Sequence, residues 1–391
     1  MKTFYSLLLL LLSFNVHSQV KLSNKADIRV ITVGPYQGEL YSAFGHSGIR
    51  VYDPVNRIDD FYNYGIFNFD QPNFYLNFAR GFLNYRVAVS DYSRVANFYS
   101  YENRYIHEQV LNLDSIQQQQ LFEYLVWNAK PENMYYYYDY FYDNCATRVR
   151  DVLEKALPGS VSFDGSYITT DYSIRDLTDV YLQYQPWGDL GIDICLGLPM
   201  DVKATPFMYM FLPDYVESGF DHASIIHNGQ SVPLVKEKVM SYTPREVTVS
   251  ESFFTPMVVF TLILVAGVFI TFTGYKKKKA FLGIDAVLFS IIGLIGWLLF
   301  LLWIATDHKA AARNMNLLWA FPLHFPMGLL LLSSRWNTFK SIYFKAIVIL
   351  QAITLIGWFF WPQNMHEALI PIVVLLLIRS WHVHKRLKMS I

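Results

Sequence analysis

Little in this chain of 391 residues is charged. Asp, Glu, Lys and Arg together make up 16%, and the 32 basic and 32 acidic side chains cancel. No basic field is left to attract a polyanion, so nucleic acid is not an expected partner. Cysteine is scarcer still, with only Cys145 and Cys195 present. Two cysteines fifty residues apart do not make the disulfide framework of a small secreted domain, although an oxidising compartment would permit a single bridge. The sequence has no HExxH, no CxxC and no glycine-rich phosphate loop, and neither metal nor cofactor is expected. Histidine is missing from the whole stretch between His46 and His107.

What the chain has in quantity is apolar surface, 53% hydrophobic and 17% aromatic, too much for an ordinary soluble enzyme. Met1-Lys2-Thr3 precedes an apolar run from Phe4 to Leu12, and Val16-His17-Ser18 supplies permissive residues where signal peptidase reads. This predicts a secretory signal over residues 1–18, with Gln19 opening an exported domain over 19–250. A membrane part follows over 251–391. Five apolar spans are expected in it, at 256–274, 281–304, 317–333, 342–361 and 366–382, most of them near the ~20 residues that cross a bilayer. The third is short and carries Pro322 and Pro326, which predicts a kink or tilt.

Basic residues fix the expected orientation. Lys276–Lys279, the pair Arg335 and Lys340, and the group Lys385, Arg386 and Lys388 fall in alternate connections. All three belong on the cytoplasmic side, with the 19–250 domain opposite. The signal segment requires the same arrangement independently. The expected location is therefore a bacterial inner membrane, multi-pass, with the exported domain in the periplasm and the C-terminus cytoplasmic. Asp307, His308, Asn314, Asn316 and Glu367 then fall at the exported face. Each could be functional or simply a polar span end meeting water.

Within the exported domain, β-branched Ile28–Val33 predicts a strand that Gly34-Pro35 ends. Strands at Ser47–Tyr52 and Ile58–Tyr64 flank the turn residues Asp53–Asn56. A symmetric hairpin there puts His46 opposite Asn63, so that Asn63 could reach the His46 ring; a slip of one residue would substitute Tyr62 or Tyr64. Ser115–Ala129 carries helical spacing. The aromatic run Tyr135–Tyr138, followed by Asp139, either packs on the core or walls a pocket. Asn144 is a good N-cap, and Ala146, Val149, Val152 and Leu153 make an apolar helical stripe that ends at Pro158-Gly159. Cys145 thus falls in a first helical turn, where free N–H groups favour a thiolate, although a small core cysteine would fit the position too. Cys195, between Ile194 and Leu196, is read as core, and His222 and His227 as surface residues.

The segment Ala43-Phe44-Gly45-His46-Ser47-Gly48-Ile49-Arg50-Val51, followed about a hundred residues later by Asp143-Asn144-Cys145-Ala146-Thr147-Arg148, resembles the circularly permuted branch of the NlpC/P60 papain-like superfamily. That branch includes the lecithin:retinol acyltransferase-like enzymes. More closely, the chain is similar to the Lnb family of lipoprotein N-acyltransferases. The order signal segment, soluble domain, helical membrane part carries this likeness, together with Leu196–Asp201, Phe211–Asp214 and Asn314–Trp319.

The resemblance implies an α+β permuted papain-like (NlpC/P60-like) exported domain followed by an all-α membrane domain of five helices. It implies Cys145 and His46 as a catalytic pair. The third partner, often a second His in this branch, has no match here, which leaves Asn63 or Asp60. Arg148 would bind a phosphate or carboxylate, or else form an ordinary salt bridge. Tyr138 and Asp139 are further substrate-binding candidates. The implied reaction moves a fatty acyl group from a membrane phospholipid, through a Cys thioester, to the α-amine of a diacylated lipoprotein's N-terminal Cys. The rival expectations are a membrane-anchored periplasmic cysteine hydrolase, acting on phospholipid or peptidoglycan, and a non-catalytic receptor or scaffold.

Overall fold

In the exported part, the alternation of β-branched and polar residues resolves into strands, and the computed structural model describes residues 20–246, 252–279 and 281–389. The expected signal, residues 1–18, lies outside the described residues. The soluble part runs β1 Asp27–Val33, β2 His46–Asp53, β3 Ile58–Ile66, α1 Phe74–Arg80, β4 Leu83–Asp91, α2 Tyr92–Tyr101, β5 Ile106–Leu111, α3 Ser115–Asn128, β6 Tyr135–Tyr138 and α4 Cys145–Ala156. It continues through β7 Val161–Ser162, α5 Ile174–Leu182, α6 Pro186–Cys195, α7 Pro206–Tyr209, α8 Pro213–Asp221, β8 Ser224–His227, β9 Gln230–Pro233 and β10 Val235–Tyr242.

Seven strands form one antiparallel sheet in the order β10-β5-β1-β2-β3-β4-β6, and β7-β8-β9 form a small second sheet. Side chains alternate across the large sheet. Ile28, Val30, Ile49, Val51, Tyr62 and Tyr64 bury one face under Leu121 and Leu125 of α3 and Val149, Val152 and Leu153 of α4. Ile31, Val33 and Phe61 bury the other against Tyr92 and Tyr99 of α2. The expected elements at Ile28–Val33, 115–129 and Tyr135–Tyr138 are present as β1, α3 and β6.

The β2–β3 hairpin corrects the expected register. The ladder pairs Gly48 with Asn63 and closes at Asp53–Ile58. The loop takes four residues, Pro54–Arg57, with Arg57 in the left-handed region (φ 57°). The shift from the expected pairing is two residues. An even slip leaves every side chain on its face, so His46 and Asn63 meet on a diagonal rather than directly across.

Among the described residues, four helices are long and apolar enough to cross a membrane: α9 Pro256–Lys277, α10 Leu282–Ala305, α12 Asn337–Ile356, and α13 Ile370–Lys388 with the short turn before it. The third span expected at 317–333, kinked or tilted by its prolines, is not formed as a membrane-crossing helix. In its place stand a 3-10 turn at Met315–Leu318 and the seven-residue α11, His324–Leu330. Pro322 and Pro326 remove backbone donors there, and irregular backbone at membrane depth survives only where protein buries it. Helix α10 does the burying through glycine. A Cβ on Gly296 would stand 2.0 Å from Ala320 O, and one on Gly293 2.0 Å from Phe325 N.

Elsewhere in the membrane part, Gly267 of α9 packs on Leu375 of α13, and Gly274 on His382. The constant offset between these pairs means that α9 and α13 run parallel. Arg379 of α13 ties three helices together, bonding both Asp285 carboxylate oxygens on α10 (2.7 and 2.8 Å) and Thr271 Oγ1 on α9 (2.7 Å). An intramembrane charge survives when paired in this way.

The glycine seat has a direct test. Gly296→Leu forces backbone apart and is expected to cost ~1–3 kcal/mol, as overpacking does. The readout is a lower thermal midpoint for the detergent-purified protein. Gly283→Leu, on the same helix with nothing within 4 Å of the added Cβ, leaves the midpoint unchanged.

Candidate active site

Helix α4 starts where it does because Asn144 caps it. The Asn144 side chain accepts from the backbone N–H of Ala146 and of Thr147, both at 2.9 Å, and the Thr147 hydroxyl accepts from Asn144 N–H at 2.8 Å. The Asn144 amide also donates to Tyr140 O and Phe211 O, each at 2.8 Å. The cap therefore pins the first turn of α4 to the preceding loop and to the Phe211-Leu212-Pro213-Asp214 segment. Cys145, the first residue of this helix, is buried.

His46 opens β2 and meets Cys145 at the end of the sheet. Burial by itself pushes the Cys145 thiol up. The His46 ring opposes this through its charge and a hydrogen bond, and the backbone N–H groups of Ser47 and Ala146 add to it, so that the thiol is held below its ordinary range. His46 Nε2 lies 2.8 Å from Asn63 Oδ1. An amide oxygen accepts, so Nε2 carries the proton and Nδ1 is left as the acceptor for the thiol. Asp60 sits three residues earlier in β3, on the opposite face from Asn63. The structure brings Asn63 to His46 and does not bring Asp60 there.

Room for the sulfur comes from Gly65, where the β3–β4 ladder is irregular between Asn63 and Ile66. Gly65 has φ +90°, and a Cβ on it would lie 3.2 Å from the Tyr138 ring and 3.9 Å from Cys145 Cβ. Tyr138 thus borders the thiol, its ring tilted against that of Tyr85 with centroids 4.7 Å apart. Arg148 and Asp139 are committed elsewhere. Arg148 forms an ion pair with Asp143 and lies 3.9 Å over the Tyr136 ring. The Asp139 carboxylate accepts from Phe141 N–H (2.9 Å) and Tyr142 N–H (3.0 Å), closing the turn that leads into Cys145. Both hold the loop that presents the cysteine.

Two contributors escaped sequence reasoning. Ser47 contributes through its backbone, which no side-chain pattern announces. Tyr136 has a buried hydroxyl without a hydrogen-bond partner among the described residues, and burial together with the Cys145 charge pushes its acidity well down, so it stays protonated. One glycine inside a strand, Gly65, was the available signal for a distortion beside the site. Cys195 stands apart at the end of α6, and both cysteines are free. Among the described residues no cluster suited to a metal ion is present.

Of the polar residues at the span ends, Asn314 and Asn316 are buried in a seam with this domain, together with Gln363, while His308 is half-buried and Asp307 and Glu367 are exposed. Asn314 Nδ2 donates to Ile194 O (2.7 Å), Asn316 Nδ2 to the same oxygen (3.2 Å), and Gln363 Nε2 to Leu196 O (3.1 Å). Gly197 N–H donates to Ala310 O at 2.7 Å. The seam therefore holds α6 and the segment after it on the membrane helices.

The balance at the sulfur is measurable by alkylation. Cys145 is expected to react with iodoacetamide with a midpoint below the ~8.5 of a free thiol. His46→Ala should move that midpoint upward, since burial is then opposed by the two backbone N–H groups alone. Peptide mass spectrometry reads both cysteines, and Cys195, whose thiol burial pushes up, is the internal control.

Residues 19–185 match the family description "Lnb N-terminal periplasmic domain", and residues 248–389 match "Lnb transmembrane domain". No curated protein and no solved structure matches the chain. The two matched regions are halves of a single architecture, in the same order and on either side of the seam. The chain belongs to the Lnb family, as a membrane protein with its N-terminal part in the periplasm.

Proposed function

We propose that this protein is a lipoprotein N-acyltransferase working through a Cys145 thioester, with a permuted papain-like arrangement in its periplasmic domain. The observation that carries this reading is the His46–Cys145 contact at a capped helix start, with the tautomer of His46 set by Asn63. Such an arrangement makes a nucleophile from a thiol. Family membership favours a membrane-associated periplasmic enzyme of lipoprotein processing; the acyl transfer itself is our inference.

In the first half-reaction His46 holds the Cys145 proton and the thiolate attacks an ester carbonyl of a phospholipid. The C–S bond forms, the C–O bond breaks, and the lysophospholipid alkoxide leaves with the proton from His46. The Cys145 N–H, which the Asn144 cap leaves unoccupied, is suited to the developing oxyanion, and the Tyr136 hydroxyl, without a hydrogen-bond partner among the described residues, is suited to be a second donor. In the second half-reaction the α-amine of a diacylglyceryl-Cys attacks the thioester, His46 takes the amine proton, and the thiolate is released as the amide forms. The burial of Cys145 favours an amine acceptor over water, since a thioester open to solvent would hydrolyse. Tyr138, bordering the thiol, is suited to line the acyl group. Attachment to membrane helices suits two substrates that both reside in a bilayer, and the alternation of basic connections suits an inner-membrane location with the C-terminus cytoplasmic.

Incubation of the full-length protein with phospholipid and a diacylated lipopeptide should yield N-acyl peptide by mass spectrometry. Cys145→Ala should abolish the product. His46→Ala should lower the rate by ~10²–10⁴, the range of a lost general base, and Asn63→Ala should lower it less. Free fatty acid as the sole product would make the protein a hydrolase. Unchanged cellular function in both the Cys145 and His46 variants would make it a scaffold.

A further inference from the structure

Helix α1, Phe74–Arg80, has no buried residue, although Phe74, Tyr75, Leu76 and Phe78 make up most of its seven positions. Tyr75 is 77% exposed and Leu76 56%, and Phe69, in the loop before the helix, is 60% exposed. A helix this short is not stable on propensity alone, and nothing in the soluble core covers it. A contiguous aromatic patch of this kind marks a surface that is covered by something else.

The contacts of α1 say what that is. Asp307 N–H donates to Arg80 O at 2.8 Å, and His308 Nε2 lies 3.1 Å from Phe78 O. Asp307 follows the end of the membrane-crossing helix α10, at Ala305, by two residues. Helix α1 is thereby fastened to the segment that follows the end of the membrane-crossing helix α10, with its rings exposed beside it. Aromatic side chains with one polar end are the residues that settle at a bilayer boundary.

The same segment leads inward to the thiol. The Phe67 ring stacks on Tyr85 at 5.0 Å, Tyr85 meets Tyr138 at a tilt with centroids 4.7 Å apart, and Tyr138 borders Gly65 and Cys145. A cleft of about 820 Å³ behind α1, with polar Asn68, Gln71, Asn77, Asn84 and Arg86 in its lining, opens on the opposite face of β4 and β6 and is no part of this path.

We propose that residues 67–82 are a membrane-dipping element, with the rings of Phe69 and Tyr75 and the Leu76 side chain seated among the lipids of the leaflet facing the soluble domain. The aromatic path from Phe67 through Tyr85 to Tyr138 is then the route by which a lipid acyl chain reaches Cys145. The route, but not the seating, rests on the acyltransferase reading.

The test uses the full-length protein in phosphatidylethanolamine/phosphatidylglycerol nanodiscs, carrying a photo-crosslinker as Tyr75→p-benzoylphenylalanine or, separately, Leu76→p-benzoylphenylalanine. Val55→p-benzoylphenylalanine is the reference. Val55 is also well exposed, at 59%, but lies in the β2–β3 loop at the far end of β3, roughly 25 Å of extended chain from Ile66. After irradiation, mass spectrometry should find phospholipid adducts at positions 75 and 76 about tenfold or more above position 55, as for side chains immersed in a leaflet. Equal yields at the three positions would overturn the proposal, and so would adducts to protein alone, which would assign the patch to a protein partner. The readout requires no turnover, so a failed acyl-transfer assay leaves it intact, and a failed adduct assay leaves the chemistry at Cys145 untouched.

Discussion

A thiol taken out of water resists ionisation, and the soluble domain is organised around overcoming that resistance at one atom. Imidazole, two backbone N–H groups and a helix start must all converge on the Cys145 sulfur, and they come from two segments about a hundred residues apart, His46-Ser47 and Cys145-Ala146. The helix start depends on Asn144, whose amide is spent on the cap and on two distant carbonyls. The imidazole depends on the first residue of β2, and its orientation on Asn63 one strand away. The approach of sheet to helix depends on a residue without a Cβ at position 65. Removing any one leaves a buried cysteine of ordinary inertness.

Height above the bilayer is fixed by a separate set of contacts. Asn314, Asn316 and Gln363 are almost completely buried, and across the seam they donate to the backbone carbonyls of residues 194, 195 and 196. A buried amide without a partner is costly, so the two parts have reason to stay docked. The broken segment between α10 and α12 belongs to the same arrangement, because its exported end supplies Asn314 and Asn316. A continuous helix from 317 to 333 would leave less freedom for the turn that presents them.

Much of the fold was legible in the sequence because its signals are local. Periodicity and turn chemistry marked β1, β2, β3 and α3, and Asn144 marked the start of α4. Run length marked four of the membrane helices, although α12 begins five residues before the expected 342 and α13 continues to Lys388. What was not legible depends on partners distant in sequence. The third membrane segment is apolar enough for a helix, and only the glycines of α10 reveal that a broken chain packs there. The hairpin register missed by two because loop length is set by Arg57 entering a conformation its sequence does not advertise. At the site, the meeting of His46 and Asn63 survived that error by parity alone. Arg148 and Asp139 looked like ligand contacts in a linear motif, and their internal partners became visible only in three dimensions.

The isolation of the two cysteines has a chemical consequence. A thiol whose ionisation is favoured by its neighbours is also the more open to peroxide, and its first oxidation product is a sulfenic acid. Rescue of that product within the chain calls for a neighbouring thiol to form a disulfide. Cys195 is occupied at the seam, where its carbonyl meets Asn314, and its own thiol is suppressed by burial. Oxidative damage at position 145 therefore has no repair route inside this molecule, and its reversal falls to an external reductant.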